Sequence, residues 1–162
     1  MRRILILFGV LFFFSYSHCM EVVPANLGVQ IVDSIEHNNP ELLERLLASI
    51  LNEGLRLTFI RESDLMRDPL IHLAVRFQSE GAVGLLLHNG ASAGDTNRYG
   101  VLALTLAESM LRDLEGQQKE IAKREHSEER SVSDALLKAM KEKVKVAQKI
   151  YDTLSDDFYR DR

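Results

Sequence analysis

Pro69-Leu70-Ile71-His72-Leu73-Ala74 and Leu102-Ala103-Leu104-Thr105-Leu106-Ala107 decide how this sequence is read. Each residue of the first block sits 33 places before its counterpart, and four of the six positions pair aliphatic with aliphatic or keep the residue. Self-similarity at such a period marks a stacked-repeat architecture, in which one short unit cannot bury its apolar face alone. The first block leads into Glu80 to Ala91, which carries Val83, Leu86-Leu87 and Gly90-Ala91; the second follows Asn97-Arg98-Tyr99-Gly100. Gly90 allows the left-handed backbone that ends a helix, and Asn97 with Gly100 suits a turn.

Outward from these blocks the pattern predicts helices. Leu70, Ile71, Leu73, Ala74 and Phe77 form one apolar face, and Asp68-Pro69 ahead of them reads as a helix start. Asn39-Pro40-Glu41 gives the same signal before Leu42, Leu43, Leu46, Leu47, Ile50 and Leu51, with Gly54 as the expected stop. A shorter helix is expected from Leu27 to His37, with Val29, Ile31, Val32 and Ile35 on one side. Val101 is expected to open a longer helix through Leu114 or on to Lys123, with Glu115 to Glu129 its frayed end or a charged connector. Ser131-Val132-Ser133-Asp134 reads as a capping signal. It precedes a stripe of Val132, Leu136, Ala139, Ala147, Ile150 and Leu154, interrupted at Lys143. Leu55 to Ile60 is the sole strand candidate, and it falls in a connector.

These motifs resemble the ankyrin repeat. Ile71-His72-Leu73-Ala74 matches the family's L-H-x-A. Val83, Leu86-Leu87 and Gly90-Ala91 match its second helix and exit, Asn97 and Gly100 its loop, and Leu104 and Ala107 the next repeat. The clearest stretch is Pro69 to Ala107, and a degenerate repeat is expected over Leu27 to Arg67. The resemblance implies an all-α fold: an ankyrin-like α-solenoid of two to three helix-pair repeats with a C-terminal helical cap. It also implies that His72 is the family's structural histidine, bonding backbone in the turn. The chain departs from the pattern in three places. Leu46 and Leu86 are 40 apart, so about seven residues are inserted between Gly54 and Asp68. The Thr-Pro pair is missing, and no second helix is expected at Gly116 to Glu120.

The ends carry other information. Met1-Arg2-Arg3, the apolar run Ile4 to Phe14 and the small polar Ser15 to Cys19 have the three-part layout of a secretory signal. Eleven residues rise about 16 Å as a helix against a bilayer core of about 30 Å, which is short for a span. Cleavage is expected after Ser17 or Cys19; an uncleaved membrane anchor over residues 4–14 is the alternative. The expected organisation is therefore a signal at 1–19, a repeat domain at 20–114, a connector at 115–130 and an amphipathic tail at 131–162. Cys19 is the one cysteine, so no intramolecular disulfide holds the mature chain.

Charge divides the mature chain. Met20 to Leu111 holds six Arg, no Lys and twelve carboxylates, a net −6, whereas Arg112 to Arg162 is balanced at twelve of each sign. With −4 overall, a general nucleic-acid partner is not expected, because phosphate neutralisation needs clustered cations. There is no phosphate loop with Lys, no H-E-x-x-H, no C-x-x-C and no G-x-S-x-G. The five His lack ligand spacing, and Glu128-Glu129 and Asp156-Asp157 read as solvated charges at helix ends. Neither catalysis nor a metal or cofactor is expected. The expected partner is another protein, bound through a loop tip of Asp95, Arg98 and Tyr99 and an inner helix face of Arg76, Phe77 and Gln78. The alternative function is a membrane-tethered accessory protein that self-associates through its C-terminal helix.

Overall fold

A computed structural model describes residues 26–50, 53–61, 68–124 and 130–160, and the regular structure of these residues is α-helical throughout. The expected signal segment, with Cys19, lies outside them. The helices are α1 (Leu27–Glu36), α2 (Pro40–Ala48), α3 (Glu53–Arg61), α4 (Leu70–Arg76), α5 (Glu80–His88), α6 (Ala103–Arg124) and α7 (Arg130–Arg160). Among the described residues no helix is long and apolar enough to cross a membrane.

α2 starts as its sequence dictates. Asn39 Oδ1 accepts from Leu42 N at 3.0 Å, Pro40 fills the first helical position where no N–H is needed, and Glu41 sits in the first turn. The helix ends at Ala48, however, and Gly54 falls inside α3 rather than stopping α2. The strand candidate of residues 55–60 is likewise α3. Ile60 is fully buried with Leu57 half-buried one turn before it, a spacing of three that a helix places on one side. α3 packs on α4 and occupies the position of the expected insertion.

α1–α2, α4–α5 and α6–α7 are three helix pairs. α1 packs on α4 and α4 on α6, while α2 packs on α5 and α5 on α7, so the pairs stack in two layers. The first two pairs turn in the same way, 40 residues apart. Asn38 (φ 47°) and Gln78 (φ 55°) are both left-handed. Asn39 N bonds Ser34 O at 2.8 Å, and Ser79 N bonds Ala74 O at 2.9 Å. This 6→1 closure ends a helix and reverses the chain. The two turns also touch, because Asn38 Oδ1 accepts from Ser79 Oγ at 2.8 Å and from Gly81 N at 3.3 Å. A Cβ on Gly81 would lie 3.0 Å from Pro40 Cγ, so glycine sets the distance between the pairs here.

The core runs continuously through the stack: Ile31 and Ile35, then Leu43 and Leu47, then Leu70, Ile71 and Leu86, and finally Ile150 and Leu154. Buried Ala74, Ala82, Ala103 and Ala107 let helix axes approach closely. Val29, expected inward, is 62% exposed, since α1 buries Leu27, Ile31, Ser34 and Ile35 instead. Ser34 tolerates that place by donating to Ile31 O at 2.7 Å.

The last pair departs most from expectation. α6 begins at Ala103, two residues after Val101, and continues through Gly116 to Arg124, so the first part of the expected connector is helix. α7 begins at Arg130, with the Ser131 signal inside its first turn, and runs unbroken past Lys143. Antiparallel α6 and α7 make the most extensive helix–helix contact of the fold. Ala147, Ile150 and Leu154 are buried as expected, but Leu136 is 51% exposed and Ala139 is exposed. Leu137, Met140 and Val144 are half-buried instead and continue through Ala147, Tyr151, Leu154 and Phe158 at alternating spacings of three and four. That is the seam period of two helices packed side by side.

Candidate functional site

The loop from Ala91 to Leu102 joins α5 to α6, and its backbone is closed by its own side chains. α5 ends at His88, and Gly90 just beyond it, with φ +94°, carries the chain into the loop while Ala91 N bonds Leu86 O at 3.0 Å. Asp95 Oδ2 accepts from Ser92 N at 2.9 Å, and Ala93 N is held by Asp157 Oδ2 of α7 at 3.1 Å. Asn97 is buried and does the work of a turn. Its Oδ1 accepts from Tyr99 N at 2.9 Å and Val101 N at 3.0 Å, and its own N–H donates to Val101 O at 3.0 Å. A single antiparallel bridge between Thr96 and Leu102 completes a tight hairpin.

Two side chains of the α4 region brace that hairpin from outside. His72 is fully buried, and its Nε2 lies 2.9 Å from Val101 O, so Nε2 carries the proton and donates. Its Nδ1 is buried with no hydrogen-bond partner among the described residues. Burial lowers the His72 pKa below its ordinary 6.5, opposed by the Val101 carbonyl and the Asp68 charge, so the ring is neutral at pH 7. Asp68 is the second brace. The Asp68-Pro69 pair does open α4, but no side-chain bond caps the helix at its N-terminus. Asp68, 1% exposed, accepts from Arg76 Nη2 at 2.8 Å and, through its other oxygen, from Arg98 N at 3.4 Å. Arg76 reaches back two turns along α4 to do so, in the direction helical side chains lean.

Of the expected binding residues, the structure thus brings Arg76 and Arg98 together around Asp68. Arg98 and Tyr99 are exposed at the apex, with the Arg98 guanidinium 4.7 Å from the Tyr99 ring centroid. Asp95 is half-buried and its carboxylate serves the loop. Phe77 and Gln78 stand at the far end of α4. Phe77 is 41% exposed, whereas Gln78 is half-buried and lines a void of about 10 Å³ with Val75, Ala107, Met110, Ala147 and Ile150. Asp68 is the member that sequence reasoning missed. The signal available for it was an acidic residue whose following helix ends in Arg, eight places on.

Among the described residues no three His, Cys, Asp or Glu side chains converge as a metal site would require. An open groove of about 280 Å³ lies between the distal parts of α6 and α7, lined by Glu115, Gln118, Lys119, Ala122 and Val144. Comparison of the chain with protein-family models, with curated proteins and with solved structures gives no match in any of the three.

Proposed function

We propose that this chain is a small, exported ankyrin-type stack of helix pairs that binds another protein and catalyses nothing. The observation that carries the reading is the braced loop. Asn97 and His72 fix the backbone of residues 97–101, with a longer contact from Asp68, and that ordered backbone holds Arg98 and Tyr99 outward. Ordering a loop in advance lowers the entropy lost on association. Arg and Tyr are the side chains that most often carry interface energy. The two-layer stacking of three helix pairs and the His72–Val101 bond support the ankyrin resemblance, which otherwise rests on the motifs of Pro69 to Ala107. Export rests on the layout of residues 1–19.

The reading of a self-associating tail draws less support. Ala147, Ile150 and Leu154 of its stripe are buried inside the chain's own core and are not offered to a second copy.

The test is in-cell crosslinking capture of the full chain beside a form carrying Arg98→Ala and Tyr99→Ala. The reading expects a specific polypeptide that the double substitution loses, and a recovered bait that starts at His18 or Met20. Capture unchanged by the double substitution would move the binding surface elsewhere.

A further inference from the structure

We infer that the Arg98–Tyr99 apex is a receptor for a single carboxylate side chain, Asp or Glu, beside a bulky apolar residue of the partner polypeptide. This rests on the loop-tip reading above and adds the chemistry of what the tip takes. Among the described residues, the ion pairs are His37–Asp33, Arg76–Asp68, Arg112–Glu108 and Lys149–Glu80, and Arg98 is in none of them. The carboxylates near the loop are already engaged. Asp68 holds Arg76 with one oxygen and the Arg98 backbone with the other; Asp95 holds Ser92 N; Asp157 holds Ala93 N. Among the described residues, the Arg98 side chain therefore has no counter-charge.

Its geometry narrows the ligand. The Arg98 guanidinium carbon lies over the Tyr99 ring, 4.7 Å from its centroid, and the residue is exposed, so its N–H donors are open to a ligand. Those donors match a carboxylate bidentately. Charge narrows it further. The second guanidinium of the site, Arg76, is neutralised by Asp68, so among the described residues Arg98 is the cation left to face the ligand. A phosphate dianion or a polyanion calls for several cations, which this site does not gather. A monoanionic carboxylate fits. Tyr99, 69% exposed, supplies the apolar surface beside it, which a neighbouring hydrophobic side chain of the partner would cover.

A random dodecapeptide display library selected on the immobilised full chain tests this. The inference expects enriched peptides with Asp or Glu fixed at one position next to a bulky apolar residue. Changing that acid to its amide should weaken binding at least tenfold. Arg98→Gln should erase the difference between acid and amide peptides, while Arg98→Lys keeps part of it; both variants should melt like the parent. Peptides without a fixed acid that are nonetheless lost with Tyr99→Ala would overturn the carboxylate inference and leave the loop-tip reading standing. An acid preference that survives Arg98→Gln would overturn it too, since the acid is then read elsewhere. No enriched peptide at all would count against both.

Discussion

Replacing Asp68 with Asn should break its buried ion pair with Arg76 while keeping the shape of the side chain. The structure sets the size of the effect. The carboxylate is buried, and its bond to Arg76 Nη2 at 2.8 Å is charge-assisted, a class that contributes about 1.5–3 kcal/mol. The contact to Arg98 N at 3.4 Å is long and adds little. Losing one partner of a fully buried pair costs about 3–5 kcal/mol, but Arg76 is 35% exposed and its guanidinium can return to water. The expected loss is therefore about 1.5–2.5 kcal/mol, or roughly 4–8 °C in Tm for a chain of this size. Urea and thermal melts followed by circular dichroism measure it. A double-mutant cycle with Arg76→Met isolates the pair, with an expected coupling of about 1–2 kcal/mol. Asp68→Asn within about 0.5 kcal/mol of the parent, or a cycle additive within that margin, would refute the reasoning that the buried Asp68–Arg76 pair stabilises the fold.

Further outcomes follow from other parts of the structure. His72 is neutral when folded with its pKa held below 6.5, so its contribution is present above the unfolded value near 6.5 and is lost as pH falls through that value toward the folded one. A His72→Phe chain should be less stable at pH 7.5 by about 1–2 kcal/mol yet lose less on acidification to pH 5; parallel pH–stability curves would contradict this. Gly90→Ala should cost about 1–2 kcal/mol, because φ is +94° and the new Cβ would sit 2.7 Å from Leu57 Cδ2. Gly84→Ala, in α5 with nothing within 4 Å, should instead stabilise by about 0.5–1 kcal/mol, and equal signs in denaturant melts would count against the backbone assignment. Leu154→Ala should cost about 2–5 kcal/mol and Leu136→Ala less than about 0.5 kcal/mol; a reversed order would mean α7 packs on its other stripe.

What the sequence disclosed was mostly local. Asn39-Pro40 announces α2 because a cap needs only its own next turn, and Gly90 ends α5 for the same reason. Asp68-Pro69 carries a similar signal and resolves otherwise, because its carboxylate finds Arg76 eight residues away. Residues 55–60 have alternating apolar places, and burial of Ile60 against the stack overrides them. In α7 two apolar stripes overlap. The one that α6 covers includes Leu137, Met140 and Val144, and no pattern within α7 alone reveals which side its neighbour occupies. At the site, Arg98 and Tyr99 were legible as large side chains in a polar loop. The braces behind them, Asp68 to the Arg98 backbone and His72 to Val101, join residues 30 and 29 apart and exist only once the stack forms.

A photoreactive phenylalanine placed at Tyr99, and in a second chain at exposed Gln117 on α6, tests the loop-tip reading most directly when irradiated in the native cell. The account predicts a covalent adduct with one other polypeptide from position 99 and none from position 117. Adducts from 117 alone, or an equal pattern from both, would contradict it.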